Sequence, residues 1–102
     1  MEYLLEIEVR LPASMDNAER ARLIEGERVR GRELAEQGVI RAIWRVPGRF
    51  ANRAIWSAPD ATVLHDAITS LPLWPYLDVV VTPLATHDLG QHCQGLPPGL
   101  AA

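Results

Sequence analysis

Residues 40–57 read IRAIWRVPGRFANRAIWS, and this stretch decides the topology. Ile40, Ala42, Trp44 and Val46 recur at every second position, the period of one face of a strand. Pro47-Gly48 is a turn signal, and residues 50–57 form the next strand. On the N-terminal side, residues 3–11 alternate, with Leu5, Ile7, Val9 and Leu11 on one face and Glu6, Glu8 and Arg10 on the other. Asp16 followed by Glu19 is a helix start of the capping-box type, and Gly38 is the stop of that helix. On the C-terminal side, Asp60 caps a second helix that runs through Ser70, with Val63, Leu64, Ala67, Ile68 and Leu71 inward. A Val-rich strand follows at 77–82. The order is β-α-β-β-α-β, which predicts an α+β fold: an antiparallel sheet with both helices on one face, the ferredoxin-like arrangement.

Such a sheet leaves its other face bare in a monomer. Leu4, Ile43, Ala54, Trp56 and Val80 are the positions expected there, and an exposed apolar face favours contact with another sheet or a partner. Between the second helix and the last strand lies Leu71-Pro72-Leu73-Trp74-Pro75-Tyr76-Leu77-Asp78. Each proline fixes its own φ, offers no N–H and pushes its predecessor out of the α region, so a stiff, extended corner is expected. Residues 1–89 are read as one domain. Residues 90–102, rich in Gly, Pro and Ala, are read as a flexible tail.

Bulk properties remove several function classes. The 102 residues carry a net charge of −3, which gives no electrostatic reason to expect nucleic acid or an anionic membrane. Hydrophobic residues make up 48%, enough for a core, but no run approaches the roughly 20 apolar residues that span a bilayer. The strand pattern begins at once, so no signal peptide is expected. Cys93 is the one cysteine, and no metal-ligand spacing accompanies it. A cytoplasmic domain is the resulting expectation. No phosphate loop, dinucleotide fingerprint or Ser-His-Asp order is visible, which leaves cofactor-free proton transfer or plain binding as the simplest chemistry.

The first helix holds one anomaly. At 100° per residue Ile24, Gly31, Leu34 and Ala35 share a sector, and Glu27 and Arg28 flank it. A carboxylate beside an apolar face is costly to desolvate and its pKa rises, a property suited to a general base for carbon acids. Gly31, one turn on, would leave room for a ligand. The residues alone favour a plainer alternative, a Glu27–Arg28 pair reaching solvent at the helix edge. Arg45 lies on the strand face opposite Trp44 and offers a fork for a carboxylate, whereas Arg49 reads as a solvated strand-edge charge. Asn52 could orient a carbonyl or stabilise enolate charge, or simply support the turn. His65, one step off the buried stripe, reads as a helix residue as readily as a catalyst. Trp74 and Tyr76 either plug the core or wall an apolar pocket.

An ordered set of short motifs resembles the muconolactone delta-isomerase family: Leu11-Pro12 and Met15-Asp16, then Trp44-Arg45, Gly48 and Ala51-Asn52, then Leu64-His65-Asp66 and the corner at 71–78. The resemblance extends from about Met1 to His87. It implies the same fold, of the dimeric α/β barrel type, and a homo-oligomer built on dimers, with a decamer as the suggested size. It implies an isomerase without a cofactor that moves the ring double bond of a small lactone acid, giving 3-oxoadipate enol-lactone during aromatic-compound breakdown. Glu27 would then shuttle the proton, Arg45 anchor the carboxylate and Asn52 polarise the carbonyl, with His65 and Tyr76 assisting. Arg28 would line the substrate site, and Trp44 and Trp74 would exclude water. Gly26 stands where that family has Asp or Ala, and Ala42, Arg53 and Val80 also depart from its pattern. Two rival readings use the same fold: a non-catalytic ligand-binding or assembly module, and a cofactor-free monooxygenase.

Overall fold

The computed structural model describes residues 1–90; the tail expected at 90–102 therefore lies, past Gly90, outside the described residues. Strand β1 (Glu2–Val9) leads to helix α1 (Asn17–Glu36), then strands β2 (Ile40–Arg45) and β3 (Ala51–Ser57). Helix α2 (Ala61–Thr69), a short 3₁₀ turn at Trp74–Tyr76 and strand β4 (Leu77–Leu84) complete the order. The four strands form one antiparallel sheet in the order β2-β3-β1-β4. This is the expected ferredoxin-like α+β arrangement.

Local signals account for the element ends. The Asp16 carboxylate accepts from Glu19 N–H at 2.8 Å, and the Asp60 carboxylate accepts from Val63 N–H at 2.9 Å. Each satisfies an amide that the first helical turn leaves unpaired. Helix α1 ends with Gly38 at φ +79°, with Gly38 N–H on Ala35 O and Val39 N–H on Leu34 O. That is the paired bonding of a Schellman stop, which needs the left-handed residue. In the central hairpin Val46 O accepts from Arg49 N–H at 3.2 Å with Gly48 at φ +75°, a type II turn with proline in its favoured place.

Register sorts the side chains. Tyr3 lies opposite Trp56, Leu5 opposite Ala54 and Ile7 opposite Asn52. Tyr3, Leu5, Ala54 and Trp56 are buried with Leu34 of α1 and Leu64 and Ile68 of α2 in one core. Ala54 and Trp56 therefore face the helices, as does Ile43, which lies opposite Ala54. This corrects the assignment of these three to the bare face; Leu4 and Val80 do lie there. The single face expected for Ile40, Ala42, Trp44 and Val46 is also corrected. Between Ile40 and Ala42 the register slips, with Ile40 opposite Trp56 but Ala42 opposite Ile55. The extra residue of a bulge flips the alternation, so Ile40 packs on the core while Ala42 and Trp44 turn outward.

Two further expectations change. Val63 is 44% exposed, whereas Leu64 is 3% exposed, because a nine-residue helix lying on a sheet buries a narrow stripe. The corner at 71–78 is wound rather than extended: Trp74 N–H bonds Leu71 O and Tyr76 N–H bonds Leu73 O. Proline is accepted in the first turn of such a helix, where its missing N–H has no partner to lose. Leu71 and Leu73, both buried, plug the core from this corner, while Trp74 is exposed. The neighbours on α2 separate these effects experimentally. Leu64→Ala should cost about 2–5 kcal/mol in urea unfolding, and Val63→Ala should stay within about 0.5 kcal/mol of the parent.

Candidate active site

Helix α1 buries only Leu34 completely. Its inward stripe, Leu23, Ile24, Glu27, Gly31 and Leu34, follows the 3.6 period but includes a carboxylate and a residue without a side chain. A sparse stripe cannot fill the space between helix and sheet. A cavity of about 260 Å³ remains there, walled by α1, the helix-facing residues of β1, β2 and β3, and the corner. Among its lining residues are Ile24, Glu27, Gly31, Arg45, Asn52 and Leu73. A Cβ built on Gly31 would meet nothing within 4 Å, so that position opens onto the cavity.

Glu27 is half-buried, and its Oε1 accepts a hydrogen bond from Leu73 N–H at 3.0 Å. Burial pushes its carboxyl above the ordinary glutamate range, and the Leu73 N–H offsets part of that rise by favouring the charged form. No ion pair joins Glu27 to an arginine among the described residues. The alternative of a Glu27–Arg28 pair is thus not what forms. Arg28 instead lies 4.0 Å from Glu25, its side chain 71% exposed, at the rim of the cavity.

Arg45, Arg49 and Arg53 of the hairpin separate cleanly. Arg53 pairs with Glu6 at 3.1 Å and Arg49 with Glu8 at 2.6 Å, both on the bare sheet face. The Arg49 hydrogen bond holds the Glu8 carboxyl below the usual range. Arg45 points the other way. It lies opposite Asn52, lines the cavity and has no carboxylate partner among the described residues. Its guanidinium sits 5.9 Å from the Phe50 ring centroid, a contact that orients the fork without neutralising it. Asn52 Oδ1 is buried without a hydrogen-bond partner, as is Trp56 Nε1. Buried orphans of this kind cost about 1–3 kcal/mol each, and both residues line the cavity.

Of the eight residues singled out from the sequence, Glu27, Arg28, Arg45 and Asn52 come together around one cavity. The other four do not line it. Trp44 is on the bare face, since strand neighbours point oppositely and Arg45 faces inward. His65 and Trp74 pack against each other edge to face with ring centroids 6.1 Å apart, outside the cavity. Tyr76 is half-buried at the end of the 3₁₀ turn, where its carbonyl accepts from Arg10 N–H. Sequence reasoning missed Ile43, Phe50, Trp56 and Leu73. The signal for the first three was the alternation itself: Ile43 shares parity with Arg45, and Phe50 and Trp56 share it with Asn52. Leu73 contributes a backbone N–H, which no residue type announces. Among the described residues no group of three or more His, Cys, Asp or Glu side chains is placed to hold a metal ion, and no helix is long and apolar enough to cross a membrane.

Comparison with known proteins agrees with this architecture. The family model described as muconolactone delta-isomerase matches residues 1–89. Muconolactone Delta-isomerase 2 of Acinetobacter lwoffii is 38% identical over 92 residues, covering 90% of this chain and 96% of that protein. Muconolactone Delta-isomerase of Pseudomonas aeruginosa is 34% identical over the same shares of the two chains. A crystal structure of muconolactone isomerase superposes with a TM-score of 0.82 at 34% identity, over 86% of this chain and 92% of the other. A match that spans all four strands, both helices and every residue around the cavity places this chain in the muconolactone delta-isomerase family.

Proposed function

We propose that this protein is a cofactor-free intramolecular isomerase that shifts the ring double bond of muconolactone, or of a closely related unsaturated lactone acid, to give 3-oxoadipate enol-lactone. The observation that carries the reading is the half-buried Glu27 facing a cavity that is also lined by Arg45, which has no carboxylate partner among the described residues. Both groups belong to a chain in a family of enzymes named for this activity. The Glu27 carboxylate takes a proton from a ring carbon activated by the lactone carbonyl. The electron pair left behind spreads over the conjugated system onto the carbonyl oxygen, and the protonated Glu27 returns the proton to a second carbon. No electrons are gained or lost, and no group leaves.

Each wall has a role in this scheme. Arg45, held by Phe50, binds the substrate's side-chain carboxylate with its fork and fixes the ring over Glu27. The buried Oδ1 of Asn52 leaves its amide N–H₂ as the group that meets the carbonyl oxygen as it gains charge. Ile24, Ile43 and Phe50 supply apolar walls for the ring. Arg28 at the rim favours entry of an anion. His65, Trp44, Trp74 and Tyr76 receive no chemical role within a single chain.

The reading extends to assembly. The bare sheet face presents Trp44 at 45% and Val80 at 53% exposure, beside the Glu6–Arg53 and Glu8–Arg49 pairs. An apolar face whose charges are already neutralised by one another suits burial against a second copy. A homo-oligomer built on dimers, of decamer size by family likeness, is the proposed state. Val80→Glu should shift the sedimentation velocity boundary to smaller species; an unchanged boundary counts against this face.

Three outcomes test the chemistry. Glu27→Gln keeps the shape and removes the base, so kcat for muconolactone, followed by ultraviolet absorbance, should fall by about 10²–10⁴. Retention of turnover within a few-fold would sink the mechanism. Arg45→Gln should raise KM about tenfold or more, with a smaller effect on kcat. For pH, the base must be charged, so kcat/KM should decline as pH falls through the raised Glu27 pKa, above the ordinary glutamate value. The same shift has a stability sign. The folded state holds the Glu27 proton more tightly than the unfolded chain, so the protein loses stability relative to Glu27→Gln as pH rises across the interval between the two pKa values. Urea midpoints of both proteins across that interval measure the difference.

A further inference from the structure

Gly26 and Glu27 of α1 meet Pro72 and Leu73 of the corner as two consecutive pairs. A Cβ built on Gly26 would lie 3.3 Å from Pro72 Cγ and 3.7 Å from Pro72 Cβ. One residue further along both segments, Leu73 N–H donates to Glu27 Oε1 at 3.0 Å. The first pair limits how closely the segments approach, and the second pair depends on that approach. Glycine inside a helix is unfavourable relative to alanine, so its presence at 26 calls for a cause. Gly31 borders open cavity, but Gly26 is where the proline ring sits.

Little in this contact can yield. Pro72 is a closed ring one peptide from the donating amide. The corner is held by Trp74 N–H on Leu71 O, Tyr76 N–H on Leu73 O and Arg10 N–H on Tyr76 O, at 2.9, 2.8 and 2.8 Å. Leu71 and Leu73 are both buried. Glu27, in turn, follows Gly26 on a helix whose start is capped. A methyl group at 26 would therefore press the corner outward by a few tenths of an ångström and lengthen the bond to Oε1. Arg28 and Arg45 are the other charged groups around the cavity, and neither is paired with Glu27.

We propose that Gly26 and the Leu73 N–H together form a positioning device for the Glu27 base: the close approach of Gly26 to Pro72 keeps the N–H on Oε1, leaving Oε2 as the oxygen that meets the substrate's proton. The device rests on the reading of Glu27 as the base. Leu73 keeps its own proton throughout; the transferred proton moves from ring carbon to Oε2 and back to carbon. A carboxylate tied by one oxygen presents the other in a single direction, which lowers the cost of reaching the reacting geometry. The two residues act through Glu27 and touch no substrate atom in this scheme.

The test uses the full chain in three forms. In the first, Leu73 is replaced by its α-hydroxy acid analogue, which turns the donating N–H into an ester oxygen. The others are Gly26→Ala and the double variant Gly26→Ala/Pro72→Ala. The Glu27 carboxyl is titrated by ¹³C NMR, and kcat and KM are measured with muconolactone. In the ester form the Glu27 titration should move to higher pH, since burial is then unopposed, and the acid limb of kcat should move with it. There kcat should fall about tenfold with KM within about twofold. Gly26→Ala should shift both readouts in the same direction by less, and the double variant should recover part of the loss. An unmoved titration in the ester form, or a moved titration with kcat unchanged, overturns the proposal. Gly26→Ala that alters only the unfolding midpoint removes Gly26 from it. Turnover in Glu27→Gln would instead remove the base itself, whatever the titration of the ester form, so the two failures are distinct.

Discussion

Leu5 of β1 and Ala54 of β3 face each other across the centre of the sheet with no exposed surface, and the pairing that sets them opposite governs what every other strand residue can do. Strand side chains alternate, so this one register sends Tyr3, Ile7, Asn52 and Trp56 to the helix side and Glu6 and Arg53 to the other. A slip by one residue would exchange the two sets. The bulge in β2 extends the rule to the edge strand. By absorbing one residue it brings Arg45 opposite Asn52, on the face that α1 covers. Helix α1 covers that face incompletely, because its inward stripe includes Glu27 and Gly31. The cavity is the space those two residues leave.

The sheet thereby separates two electrostatic environments. On the bare face Glu6 meets Arg53 and Glu8 meets Arg49, and the Arg49 hydrogen bond together with the nearby positive charges keeps Glu8 ionised to lower pH. On the covered face Glu27 is partly stripped of water and, among the described residues, its carboxylate accepts from the Leu73 backbone N–H alone. Two glutamates on one small domain are pushed in opposite directions by their surroundings. Arg45 stays available to an anion for the same reason that Arg53 does not: one residue type is turned to opposite faces by strand parity.

Much of this was legible along the chain. The Asp16 and Asp60 caps, the Gly38 stop, the Pro47-Gly48 turn and the alternation of β1 all act over a few residues, and each formed where its chemistry placed it. Where the structure departs from these local readings, the reasons are not local. Ile43, Ala54 and Trp56 share parity with Arg45 and Asn52, so a site built on those two residues requires all five to turn away from the bare face. The bulge at Ile40–Ala42 has no residue signature. The apolar period of α2 does not set the width of its buried stripe, and the sheet beneath accepts a narrow one that leaves Val63 exposed. The aromatics Trp74 and Tyr76 mark the corner in the sequence, while its contribution to the core and the cavity comes from Leu71, Leu73 and a main-chain amide.

By itself the sequence determined the order of elements and the caps and turns that bound them, because capping and turn chemistry are local properties of the chain; the side-chain period located the strands but left the core-facing half of β2 and β3 to the register. Through the resemblance of its motifs to the muconolactone delta-isomerase family it also pointed to Glu27, Arg45 and Asn52 as candidate site residues. Only the tertiary structure decided that these three border one cavity, that Arg49 and Arg53 are spent on Glu8 and Glu6, and that Glu27 is tied to Leu73, 46 positions away in the chain. Those outcomes depend on how α1 and the corner settle against a sheet whose bulge resets the edge strand. The distances are set by packing between segments remote in sequence, and no local pattern encodes them.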